Sequence, residues 1–133
     1  MTTNKYLNLS HRGLNELPDL SSHIDVTHLD ISCNNLTQIK KSHLPPNLKV
    51  LYCQHNQLTL IDNLPASVEQ LYCNNNEITA LEHLPPSLKL LCCNDNKITI
   101  LDKLPPQLEK LYCLKNQISN LDNVPPSVIE IYS

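Results

Sequence analysis

The chain has 133 residues, a net charge of −3, six Cys, six His, ten Pro, a single Gly and neither Trp nor Phe. One glycine cannot build the glycine-rich loops that cradle nucleotide phosphates, and ten Lys and Arg scattered singly offer no basic face to nucleic acid. No apolar run approaches the roughly 18 residues of a membrane span or the core of a secretory leader, so a soluble, cytoplasmic protein with reduced thiols is expected, without metal or cofactor.

Taken in chain order, the elements repeat. YLNLSHRGLNELP, beginning at Tyr6, is a first copy with Arg12 where later copies carry Asn. Val26, Leu29, Ile31, Asn34, Leu36 and Ile39 follow at a spacing of 22. The series Leu48, Leu51, Cys53, Asn56, Leu58, Ile61 then recurs every 20 residues, starting again at Val68, Leu88 and Leu108, and a half-copy with Val128 and Ile131 ends at Ser133. The alternation in each copy predicts short strands near residues 6–10, 28–32, 50–54, 70–74, 90–94, 110–114 and 130–132, within one domain over 1–133 of about six repeats plus a half. The Leu-Pro-Pro that precedes the strands near 50, 90 and 110 excludes a long helix on the return path, which is expected to be extended or polyproline-like.

A fixed period of 20 to 22 with the pattern L-xx-L-x-L-xx-N-x-L is the signature of a leucine-rich repeat solenoid. The expected architecture is a right-handed coil with a parallel, concave β-sheet and little helix. Stacked coils bring equivalent residues to roughly 4.8 Å, so Asn34, Asn56, Asn76, Asn96 and Asn116 should form a column whose amides satisfy turn backbone. Cys53, Cys73, Cys93 and Cys113 fall on an inward strand position and read as a buried ladder of small apolar side chains. No C-xx-C pair exists, adjacent Cys92 and Cys93 point to opposite faces, and the six His occupy unrelated positions apart from His11 and His55, which share a turn position two coils apart, too far for a common ion, so no metal site is expected. Cys33, in a turn, and Cys92, facing outward, are the expected reactive thiols.

The outward position between the two inward ones reads Asn8, Asp30, Tyr52, Tyr72, Cys92, Tyr112, Tyr132. Stacked tyrosines can simply stiffen a sheet. They can also form a binding surface, since contiguous exposed aromatic and apolar groups mark contacts. The candidate surface is Tyr52, Tyr72, Leu90, Cys92, Tyr112, Leu114 and Tyr132, with a protein as partner. The final strand VIEIYS leaves Ile131 and a strand edge uncovered, which suits a longer chain, a partner at that end or a two-fold homodimer.

The unit LPPSLKLLCCNDNKITIL resembles the short repeats of bacterial effectors of the YopM and IpaH type, and is similar to the FNIP-like repeat proteins of large protist DNA viruses, although no Phe stands in the turn. The resemblance implies a non-enzymatic protein-protein interaction module acting in the cytosol, a host's if the chain is viral or an effector. It also implies an alternative: a substrate receptor for a ubiquitin ligase acting with a partner in trans.

Overall fold

The computed structural model describes residues 3–133; Met1 and Thr2, at the start of the expected domain, lie outside the described residues. Seven three-residue strands form one parallel sheet in strict chain order: β1 (Tyr6–Asn8), β2 (His28–Asp30), β3 (Val50–Tyr52), β4 (Gln70–Tyr72), β5 (Leu90–Cys92), β6 (Lys110–Tyr112) and β7 (Glu130–Tyr132). The register follows the sequence repeat, with Leu29 beside Leu51, Leu51 beside Leu71 and Leu71 beside Leu91.

The strands are shorter than the five residues expected at most of these positions, and the turn explains why. Hydrogen bonds of the same sense continue past each strand, as from Cys53 N–H to Tyr72 O at 2.8 Å and from His55 N–H to Asn74 O at 3.0 Å. At the second of these residues the backbone leaves the β region. His11, Cys33, His55, Asn75, Asp95 and Lys115 all have φ between 53° and 56°. Such left-handed residues reverse the chain locally, and the Asn that follows each of the last five starts the return path.

On the return path, the described residues contain one short helix, a 3-10 turn at Lys41–His43, within the second of the two coils that carry two extra residues. The proline pairs close tight turns in front of the strands. Leu48, Val68, Leu88, Leu108 and Val128 donate their N–H to the carbonyls of Pro45, Pro65, Pro85, Pro105 and Pro125 at 3.1–3.3 Å. The second residue of four of these turns is Pro46, Pro86, Pro106 or Pro126, where a φ fixed near −65° is already the turn value, and Ala66 takes that place in the other. Proline thus directs the chain into the next strand as well as excluding helix.

Between sheet and return path the core is a set of stacked columns. Leu29, Leu51, Leu71, Leu91 and Leu111 are fully buried, as are Ile31, Cys53, Cys73 and Cys93 in the next column and Leu36, Leu58, Ile78 and Ile98 beyond the turn. Each buried Leu or Ile contributes about 1.5–3 kcal/mol of transfer free energy, which makes these columns the main stabilising term. The ion pairs that join neighbouring coils, such as Lys5 with Asp25 and Lys49 with Glu69, are exposed and contribute little by comparison.

Candidate functional site

The outward face of the sheet changes character along its length. At β1 and β2 it is polar: Asn8 Oδ1 accepts from Ser10 and Asp30 Oδ1 from Ser32, so these side chains close on their own turns. Tyr6 lies over His28 with ring centroids 4.4 Å apart, and burial lowers the His28 pKa, which favours its neutral form. From β3 onward the face is aromatic and apolar. Tyr52 stacks on Tyr72 at 4.8 Å with planes 14° apart, and Tyr112 stacks on Tyr132 at 4.9 Å and 5°. Tyr52, Tyr72 and Tyr112 are half-buried, Leu90 is half-buried and Leu114 is exposed. Two hydroxyls are anchored: Tyr72 donates to Gln70 Oε1 and Tyr112 to Glu130 Oε2, each at 3.1 Å. That bond to Glu130 is the main cause of the raised Tyr112 pKa, while burial is the main cause for Tyr52 and Tyr72.

Cys92 departs from expectation. It faces outward, yet its relative exposure is only 9%, because a short side chain sits below the longer Tyr72, Tyr112, Leu90 and Asn94 around it in the register. The same burial pushes its thiol up to about 11, so it is neither an exposed element of the surface nor a reactive thiolate at neutral pH. Cys33 is half-buried in its turn. The inward Cys53, Cys73, Cys93 and Cys113 are buried free thiols, all held in the neutral form by desolvation. Among the described residues no group of three His, Cys, Asp or Glu side chains is placed to hold a metal ion.

The asparagine column binds one coil to the next. Asn76 Oδ1 accepts from Leu58 N–H of the preceding coil at 3.0 Å, while its Nδ2 donates to Cys53 O of that coil and to Cys73 O of its own, both at 3.1 Å. Asn56, Asn96 and Asn116 repeat the arrangement toward Leu36, Ile78 and Ile98. Asn34, at the head of the column, accepts from both Arg12 and Leu14 N–H, so the first copy needs no Asn of its own.

Two further seams were not anticipated. Ser67, Ser87 and Ser127, behind the proline turns, donate to Leu48 O, Val68 O and Leu108 O at 2.6–2.7 Å, and Asn47 donates to Ile24 O at 2.9 Å. On the outward face Asn74 and Asn94 Oδ1 accept from the N–H of Asn94 and Leu114 in the following coil. The recurrence of Ser at 67, 87 and 127, two residues after the first proline of the turn, was the available signal for the first of these.

The family model described as leucine rich repeats (2 copies) matches residues 46–86. Among solved structures, the chain is similar to a Shigella effector leucine-rich-repeat domain, with 31% identity, 87% of this chain and 60% of that chain covered, and a TM-score of 0.56. YopM from Yersinia enterocolitica WA-314 matches at 29% identity over 94% of this chain and 36% of that one, with a TM-score of 0.46. The chain therefore spans less than two thirds of the length of either protein. No curated protein matches it. The order of seven parallel strands, the repeat spacing and the Shigella match agree: the chain folds as a leucine-rich-repeat solenoid, an architecture suited to protein recognition, with coils resembling those of bacterial effectors.

Proposed function

We propose that the chain is a non-enzymatic protein-recognition module whose partner lies on the outward face of strands β3 to β7, in the cytosol. One observation carries this reading: Tyr52, Tyr72 and Tyr112 stand half-exposed in register, bordered by Leu90 and Leu114, on a face whose charged groups are confined to Asp30, Lys110 and Glu130 in the strand columns. Rigid aromatic rings lose little conformational entropy when they are covered, and Tyr is enriched where binding energy concentrates. Burial raises the Cys92 pKa, so the sulfur of this face is held as a neutral thiol.

Photo-crosslinking tests it. Benzoylphenylalanine at position 90 or 114 should capture partner protein in cells, while the same probe at exposed Leu60 or Ile100 on the return path should not. Capture confined to positions 60 and 100 would refute the assignment. A second copy of the chain is one such partner. If it is, light scattering over a concentration series should show a dimer that becomes a folded monomer in the triple variant Tyr52→Ser, Tyr72→Ser, Tyr112→Ser.

A further inference from the structure

Tyr72 and Tyr112 are each stacked on one side only. The register places Cys92 beside Tyr72 on one side and beside Tyr112 on the other, so the column consists of two stacked pairs separated by one coil whose side chain ends at a buried sulfur. Two ladder steps put the flanking strands roughly 10 Å apart. A planar ring inserted midway would lie about 4.8 Å from each neighbour, within the range for stacked aromatics and equal to the separation the column already uses.

The surroundings select what can enter. Leu90 and Asn94 border the gap within its own coil, and Gln70, Asn74 and Leu114 stand on the adjoining coils, all uncharged. The nearest cation is Lys110 beside Tyr112, with Glu130 at 3.7 Å on its far side. Glu130 pairs with Lys110 and also accepts from the Tyr112 hydroxyl, so the rim carries no net charge, and uncharged walls at stacking distance suit a neutral ring.

We propose that the gap over Cys92, between Tyr72 and Tyr112, receives one aromatic side chain of a partner protein, which completes a five-ring column from Tyr52 to Tyr132. This rests on the reading of the strand face as the recognition surface and names what that surface takes.

The test is a titration of the full chain with p-cresol, the side chain of tyrosine, followed through the tyrosine ring signals by carbon-edited NMR. Saturable shifts are expected at Tyr72 and Tyr112, with a Kd on the order of 1–10 mM and no comparable shift at Tyr6. Cys92→Tyr and Cys92→Leu each fill the gap and should weaken that binding at least tenfold, and the wild-type titration stands without either variant. Absence of a saturable shift, equal shifts at Tyr6, or unchanged binding in a folded filled variant overturns the proposal. Face cross-links that persist while p-cresol leaves Tyr72 and Tyr112 unmoved overturn the gap and leave the surface standing. Cross-links confined to positions 60 and 100 overturn both.

Discussion

Replacing Asn76 by Ala removes the clearest single link between two coils. The loss can be worked bond by bond. Cys53 O keeps Asn56 Nδ2 at 3.1 Å, Cys73 O keeps Asn96 Nδ2 at 3.0 Å, and Asn74 O keeps His55 N–H at 3.0 Å. Leu58 N–H has Asn76 Oδ1 as its hydrogen-bond acceptor and sits in a fully buried residue, so it is left without a partner. An orphaned buried N–H costs about 1–3 kcal/mol, and two lost amide bonds add about 1 kcal/mol each, giving a destabilisation of about 3–5 kcal/mol. Asn116 makes the same bonds, to a buried Ile98, but is itself half-buried beside exposed Leu114, so water can replace part of what Asn116→Ala removes and about 1–2 kcal/mol is expected. The assay is urea unfolding followed by circular dichroism and by tyrosine fluorescence, which no Trp obscures. The reasoning fails if Asn76→Ala costs less than about 1 kcal/mol, or if Asn116→Ala costs as much as Asn76→Ala.

Three other outcomes follow from the same geometry. The neutral thiols of Cys53, Cys73 and Cys93 ionise in the unfolded chain near pH 9.0 and only at higher pH in the folded one. Their contribution is therefore complete below pH 9.0 and is lost as pH rises toward the folded values. In reducing buffer, stability should fall as pH rises above 9, with Cys92 and Cys113 contributing in the same sense, and substituting any one of the three by Ala should reduce the slope by about 1.4 kcal/mol per pH unit. Lys115, at φ 53°, holds a conformation that disfavours side chains without a local hydrogen bond; Lys115→Asn should raise urea stability by about 0.5–1 kcal/mol and Lys115→Val should lower it. Gln107 interrupts the seam made by Ser67, Ser87 and Ser127, so Gln107→Ser should gain a bond to Leu88 O and about 0.5–1 kcal/mol, whereas Ser87→Ala should lose a similar amount.

The fold was legible because its information is periodic. One copy read as leucine-rich repeat fixes all the others, and the inward Leu, Cys and Ile columns follow from the alternation of a strand. The asparagine column was also readable, since a single polar residue recurring next to a core must satisfy backbone. The left-handed turn column was harder. His11, Cys33, His55, Asn75, Asp95 and Lys115 share a conformation but little chemistry, and only some are the residue types that favour positive φ. Cys92 was misread for a related reason. Alternation gives the direction of a side chain but not its depth, and depth is set by neighbours 20 residues away on either side. The serine seam lay outside a strand-centred reading because it belongs to the turns that the prolines close.

The direction of the asparagine bonds bears on how such a chain is made. Each Asn reaches back to the coil before it, as Asn76 does to Leu58 and Cys53, and each turn serine likewise donates to the preceding coil. A coil emerging from the ribosome therefore stays incomplete until the next turn has been synthesised, a wait of about 1–4 s at 5–20 residues per second for a 20-residue repeat. Once the few repeats that a solenoid core needs are in place, each newly completed coil can fasten to the stack behind it. Assembly in this order resembles a zipper whose slider travels with the growing end, and it limits the apolar surface open to wrong pairing to about one repeat at a time.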